Sequence, residues 1–219
     1  MNDISFRREQ PADYRAVEEL TRAAFWNHYA PGCDEHYLVH IMRNAADFIA
    51  DLDVVAMVDG RIVASILYTR AAIACDSGEK KEVLCFGPVS VSPKVQGRGI
   101  GTRLIEHTQA LARNMGYRAI LIYGDPEFYK RVGFVPAETY RIGTADDTYA
   151  DALLACELAP GALSECAGRF IESPVFQIDP QKAAAFDARF PQREKQEGLV
   201  SQRRFLDLAQ RRRPRERTT

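Results

Sequence analysis

Three glycines fall within five residues, Gly97, Gly99 and Gly101, in the stretch PVSVSPKVQGRGIGTRL between an apolar run and a helix-like pattern. Glycine costs up to about 1 kcal/mol in a helix interior, so such a cluster at a strand–helix boundary needs a reason. A helix N-terminus approached through a glycine-rich turn offers several backbone N–H groups to one point. With the helix dipole added, that geometry favours an anion, phosphate above all. Two phosphate-loop patterns do not fit. A Walker loop needs Lys-Ser/Thr after its last glycine, where Thr102-Arg103 stands. The dinucleotide pattern G-x-G-x-x-G fails because the spacing here is G-x-G-x-G, after a run of strands rather than at an opening βαβ unit. The pattern that remains is Q-x-x-G-x-G, met by Gln96, Gly99 and Gly101.

Other side chains with chemical capacity are scattered. Tyr129 stands four residues before Gly133-Phe134, in FYKRVGF. Asp125 precedes Pro126 and reads as a helix cap, while Glu35 and Glu82 read as surface carboxylates. His36 and His40 are one helical turn apart, but no third ligand accompanies them, so no metal is expected. Cys33, Cys75, Cys85, Cys156 and Cys166 are odd in number and form no C-x-x-C, which suits reduced, mostly buried thiols.

The periodicities outline the elements that must position these groups. Ile4 and Phe6 alternate as in a first strand, and residues 13–25 carry Val17, Leu20, Ala24 and Phe25 at helical spacing. After the loop WNHYAPGCD a second helix is expected over 35–43. Turns at Asp59-Gly60 and Ser77-Gly78 then divide three β-rich runs, which predicts an antiparallel meander. Beyond the glycines, Leu104, Thr108, Leu111 and Met115 make a helical stripe that Gly116 ends. RAILIY reads as a buried strand, Asp125 caps a short helix, and ALLACEL and GRFIESPVF supply further strand candidates. This predicts one α/β domain over residues 1–178 and a helical C-terminal extension over 179–219, packed by Phe186, Phe190, Leu199, Phe205 and Leu208.

Composition is that of a globular protein: 219 residues, 46% apolar, 27% charged, net charge −1. No apolar run would span a bilayer and the first residues lack a signal-peptide layout, so a cytoplasmic protein is expected. From Gly198 onward seven arginines stand against Asp207 and Glu216. A solvated, frayed basic tail is the expectation, with neither a nucleic-acid nor a membrane partner.

The motif V-x-V-x-P-x-x-Q-G-x-G-I-G-x-x-L, then a strand, then FYKRVGF, resembles the GNAT superfamily of acetyl-CoA-dependent N-acetyltransferases. The resemblance covers roughly residues 3–178. It implies a mixed, mostly antiparallel central sheet flanked by helices, and transfer of an acetyl group from acetyl-CoA to a primary amine, of a small molecule first and of a protein lysine or N-terminus second. A non-catalytic acyl-CoA-binding module is the reading from another class. By the same resemblance, backbone groups of Val89, Ser90 and Val91 hold the pantetheine arm, and Gln96 with the amides of Gly97, Arg98, Gly99, Ile100, Gly101 and Thr102 forms the pyrophosphate cradle. Tyr129 is the acid for the departing thiolate, and Trp26, His28 and Tyr29 border the acceptor pocket. Many relatives place a glutamate at the end of the strand after the cofactor helix, where this chain has Ile122-Tyr123-Gly124, so the general base stays open among Asp125, Glu82, Glu35, His28 and His36. A monomer or homodimer is expected.

Overall fold

The computed structural model describes residues 4–216. The chain opens with strand β1 (Ile4–Arg8), followed by helices α1 (Tyr14–Phe25) and α2 (Glu35–Met42). The meander follows as β2 (Val54–Val58), β3 (Arg61–Cys75) and β4 (Lys80–Val91). Asp59 and Gly60, at φ 50° and 73°, make its first turn with both central residues left-handed, which matches the twist of the flanking strands.

Next come α3 (Ile100–Asn114), β5 (Ala119–Tyr123) and the short α4 (Pro126–Tyr129). Small strands follow: β6 (Val135–Pro136), β7 (Ile142–Gly143), β8 (Thr148–Ala150), β9 (Leu153–Glu157) and β10 (Gly168–Ile171). The strand expected across GRFIESPVF stops at Ile171, because Ser173 caps a 3-10 turn over Pro174–Phe176. The C-terminal segment forms α5 (Pro180–Asp187), α6 (Val200–Gln210) and β11 (Arg212–Pro214).

The central sheet runs β1-β2-β3-β4-β5-β9-β6, with β10 joining β3 and β7. Most pairs are antiparallel. β4 and β5 are parallel and are registered only at Leu84 and Ile120, so they separate beyond that point. Helices α1 and α2 cover one face, where Val17, Leu38, Val39 and Met42 pack on Val55 and Leu67. Helix α3 covers the other through Leu104, Ile105 and Ala112, and Thr108 Oγ1 lies 2.8 Å from the Tyr68 hydroxyl. Met115, read as the last position of that stripe, is 43% exposed because the helix ends at Asn114.

The basic terminus differs from the sequence expectation. β11 pairs with β8, and Arg215 is buried, with both guanidinium N–H groups on Asp76 at 2.8 and 2.6 Å and Nε on Asp147 at 2.8 Å. A buried arginine fork on two carboxylates fixes this part of the tail. Frayed it is not.

Candidate active site

Strand β4 carries a bulge where it meets β3. Ile66 faces Val89 and Tyr68 faces Phe86, which leaves Gly87 and Pro88 together opposite Leu67. An extra residue on one strand bends it, and here the bend comes where β4 leaves β5. Past the bulge, Ser92 donates its N–H to Val63 O at 2.8 Å, so Ser92, and Ser90 two residues earlier, direct their backbone groups toward β3. Val89 and Val91 therefore present theirs to the open edge, and Gln96 Nε2 donates to Val91 O there at 3.0 Å.

Ser90 is accordingly a correction. Its backbone faces β3, its side chain is buried, and its hydroxyl donates to Thr21 Oγ1 at 2.9 Å. The odd-numbered residues face the open edge.

The glycine turn takes the expected form. Gly97 and Gly99 sit at φ 76° and 75°, in the left-handed region that side chains other than glycine rarely adopt. Gly101 lies in the first helical turn, where a Cβ would come 3.3 Å from Val91 Cγ2. Arg103 N–H closes the first intrahelical bond, onto Gly99 O at 3.1 Å. The N–H groups of Ile100, Gly101 and Thr102 therefore have no acceptor within the helix.

A cleft of about 520 Å³ joins this turn to Tyr129. Val89, Val91, Gln96, Gly97, Gly99, Ile100, Gly101 and Thr102 line one end. Phe25, His28, Tyr29, Asp125 and Tyr129 line the rest, with Arg131, and Phe128 lies between, its Cζ 3.8 Å from where a Cβ on Gly101 would stand. Arg98 is exposed and absent from the lining. Trp26 is also outside it: its Nε1 donates to Glu194 O at 2.9 Å and the Arg22 guanidinium lies 4.2 Å from its ring centroid. The loop containing Trp26 therefore sends His28 and Tyr29 into the cleft and Trp26 onto the C-terminal segment.

Tyr129 is fixed from several sides. Its ring packs with Phe86, Phe128 and Phe134 at centroid separations of 6.0, 4.9 and 5.6 Å. Asp125 sets the start of α4, its Oδ1 accepting from Glu127 N at 3.0 Å and its backbone O from Tyr129 N at 3.1 Å. Burial, with Tyr29, Cys85 and the Asp125 carboxyl nearby, holds the Tyr129 phenol protonated well above the usual tyrosine range. Burial and Glu35 push Tyr29 up to about 12.

The candidates for a base separate clearly. Glu82 is exposed and 4.0 Å from Arg70. His36 is buried, with Nε2 3.1 Å from Asp187 Oδ1 and Nδ1 3.6 Å from Cys33 Sγ. His40 faces Glu18 at 3.0 Å, so the two histidines do not converge on one point. Asp125 is tied to Arg204 at 2.6 Å. Glu35 is pushed up to about 7 by burial but lies outside the cleft lining. His28 alone among the nitrogen bases lines the cleft, and burial lowers its pKa, which keeps the imidazole neutral at pH 7. At the end of β5 stands Tyr123, whose nearest acidic influence is Glu172.

Among residues of the site that escaped the sequence reading are Phe25 and Phe128; Arg131, two residues after Tyr129 in FYKRVGF; and Arg204, on the C-terminal segment, paired with Asp125. For Arg131 the basic pair next to Tyr129 was a usable signal. For Arg204 nothing in the local sequence points to Asp125.

Residues 50–136, from the approach to β2 through β6, match the GNAT acetyltransferase domain. That stretch resembles the GNAT family. Similar proteins include the uncharacterised N-acetyltransferase YjhQ of Escherichia coli K12, 36% identical over 87 residues, which are 39% of this chain and 46% of that protein. The uncharacterised N-acetyltransferase YhbS of the same organism is 28% identical over 129 residues, 58% of this chain and 71% of that one. The match thus spans about half of YjhQ and rather more of YhbS. The GNAT fold extends further than sequence identity does. The structure of E. coli YhbS in complex with CoA superposes with a TM-score of 0.72 at 23% identity, over 81% of this chain and 94% of that one. A GNAT acetyltransferase of Brucella melitensis in complex with acetyl-CoA gives 0.64 at 26% identity, over 80% and 99%. No described helix of this chain is long and apolar enough to cross a membrane, and its described residues contain no cluster of potential metal ligands.

Proposed function

We propose that this protein transfers the acetyl group of acetyl-CoA to the nitrogen of a primary amine, by direct attack while both substrates are bound. The observation that carries this is the single cleft running from the free N–H groups at the start of α3, along the open edge of β4, to Tyr129. The YhbS and B. melitensis structures, which hold CoA and acetyl-CoA, support the same donor here.

The residues divide the work by chemistry. The amides of Ile100, Gly101 and Thr102, with the turn at Gly97–Gly99, receive the pyrophosphate, because they supply donors and a positive dipole end without side chains in the way. Backbone groups of Val89 and Val91 take the amides of the pantetheine arm as an added strand would be taken. The thioester then lies beside Tyr129.

An amine attacks only when neutral, and a lysine-like amine with pKa about 10.4 is neutral in roughly one molecule in 10³ at pH 7. His28, itself neutral, is placed to take the ammonium proton. Attack forms the C–N bond, the nitrogen releases its surplus proton to water, the C–S bond breaks, and the sulfur leaves as a thiolate. Tyr129 delivers its proton to that sulfur and recovers one from solvent afterwards. The acceptor is a small molecule, since the C-terminal segment crosses the acceptor end of the cleft.

The test is acetyl-CoA titration by calorimetry, followed by an amine panel with acetyl-CoA in which free thiol is measured. Binding without amine-dependent thiol release would favour a non-catalytic acyl-CoA-binding module. No binding would remove the donor assignment altogether.

A further inference from the structure

The C-terminal helix α6 does not sit where burial alone would hold it. Val200 and Leu206 remain 73% and 54% exposed, so the helix sends two large apolar side chains into solvent. Its buried anchor is polar. Gln202 is 5% exposed, and its Nε2 donates to Asn27 O at 3.1 Å and to Gln196 O at 2.9 Å. Two further contacts carry α6 across the end of the cleft that contains Tyr129. The Phe205 ring lies 4.6 Å from the Tyr29 ring, and Arg204 Nη2 lies 2.6 Å from Asp125 Oδ2. Tyr29 and Asp125 both line the cleft.

The result is a pair of rings in contact beside the cleft. Tyr29 and Phe205 are each more than a third exposed, at 38 and 41%. Two exposed aromatic rings in contact need an explanation that single exposed rings do not. At the glycine turn, free backbone N–H groups suit phosphate. The anionic half of the donor is accommodated there, and the aromatic end beside Tyr129 is left for the acceptor.

We propose that α6 forms one wall of the acceptor site, and that the acceptor is an amine carried on an aromatic or other flat apolar body. This rests on the acetyltransferase reading. The ring of the acceptor stacks against Tyr29 and Phe205. Its amino group extends past them toward Tyr129, where His28 takes the proton the nitrogen must lose before attack. A polyamine or a lysine side chain presents too little flat apolar surface to gain from that wall. The C-terminal segment is thereby the part of the chain that selects the acceptor, while the glycine turn and β4 serve any acetyl-CoA enzyme alike.

The experiment compares 2-phenylethylamine and tryptamine with spermidine and a lysine-containing peptide, in the full chain and in Phe205→Ala and Phe205→Tyr. The readouts are KM and kcat for each amine and the calorimetric affinity for acetyl-CoA. The aromatic amines are expected to be the better substrates, judged by kcat/KM. Phe205→Ala should raise their KM by about tenfold, the scale of one lost aromatic pair, with acetyl-CoA affinity unchanged and the KM for spermidine raised far less. Phe205→Tyr should restore the wild-type KM. The proposal is overturned by a preference for spermidine or the peptide, by no turnover of the aromatic amines while acetyl-CoA binds, or by an equal effect of Phe205→Ala on all amines. Failure of acetyl-CoA itself to bind is a separate outcome that removes both the acetyltransferase reading and this one.

Discussion

Gly124 and Tyr129 share one space. A Cβ built on Gly124 would stand 2.6 Å from Cδ2 of the Tyr129 ring and closer still to Cε2. Gly124, just past the end of β5, is thus bare, and the ring of the proposed acid lies across it.

Gly124→Ala is the direct test of that relationship. The ring is also bounded by Phe86, Phe128 and Phe134, so it can escape the new methyl only by moving its hydroxyl. A displacement near 1 Å of a reacting group can cost about 10²-fold in rate. Turnover should fall on that scale, with stability lowered by about 1–3 kcal/mol as in other overpacked sites. Acetyl-CoA affinity should change far less. Unchanged turnover in a folded Gly124→Ala protein would mean that the Tyr129 hydroxyl needs no fixed position.

Gly99→Ala tests the phosphate turn, and Gly60→Ala is its control. The two glycines have nearly equal φ, 75° and 73°, and an added Cβ meets nothing within 4 Å at either. The effect at Gly99 therefore comes from the backbone, not from a methyl crowding the anion. Both substitutions should cost about 1–2 kcal/mol through left-handed strain. Only Gly99→Ala should also weaken acetyl-CoA binding, by roughly tenfold, because only there does the strain realign donors. Calorimetry on the two variants separates the terms, and equal affinities would remove the cradle.

Arg215→Ala tests the clamp on the C-terminus. The guanidinium is buried between Asp76 and Asp147, with three charge-assisted hydrogen bonds of 2.6 to 2.8 Å. Removing it should lower stability by about 2–3 kcal/mol, the range for a hydrogen bond to a charged group. Arg215→Lys should recover only part, since lysine cannot span both carboxylates with a planar fork. Urea unfolding measures both. A melt indistinguishable from wild type would return the basic terminus to the solvated tail read from the sequence.

That correction shows where the sequence was legible. The glycine turn, the meander and α3 are governed by local rules: backbone freedom at Gly97 and Gly99, turn chemistry at Asp59-Gly60, and an apolar stripe along a helix. Each can be read within about fifteen residues. The remaining features rest on contacts between residues far apart in the chain. Arg215 reaches Asp76, Arg204 reaches Asp125, and Trp26 reaches Glu194, at separations of 139, 79 and 168 residues. A run of arginines looks the same in sequence whether its partners are solvent or buried carboxylates. Ser90 failed for a different reason: the bulge at Gly87-Pro88 sets which strand edge each backbone group faces, and nothing in VSVSP announces it.

His36 should make stability fall in mild acid. Burial, opposed by Asp187, lowers its pKa from 6.5 to about 4. The unfolded chain then binds a proton between those values that the folded chain refuses, so stability is full above pH 6.5 and lost as pH falls toward 4. The loss is on the order of 3 kcal/mol over the window. Glu35 acts with the opposite sign: its folded pKa is raised to about 7, and its contribution fades as pH rises from 4.5 to 7. The wild-type curve alone therefore hides both slopes. The difference between wild type and His36→Gln isolates the histidine, and should shrink steadily from pH 7 to pH 4. Parallel stability curves for the two proteins would show that His36 titrates as in the unfolded chain.

Tyr129→Phe removes only the hydroxyl and keeps the ring among Phe86, Phe128 and Phe134. Folding should be preserved, and acetyl-CoA affinity should stay near wild type, because the donor's contacts lie with Val89, Val91 and the turn before α3. Loss of a positioned acid should lower turnover by about 10²-fold. The pH profile adds a sharper condition. A tyrosine of ordinary pKa would ionise near pH 10, and the wild-type rate would fall there. Burial holds this phenol well above that range, so the acid form persists and the wild-type rate should show no Tyr129 limb up to pH 10. At low pH the limiting group is His28, whose lowered pKa keeps it neutral below 6.5, so the acid limb should lie below pH 6.5 in both proteins. Two profiles of the same shape, about 10² apart in height, are the expected result. Equal heights with equal acetyl-CoA affinity would make Tyr129 a packing residue and leave the thiolate to be protonated by water.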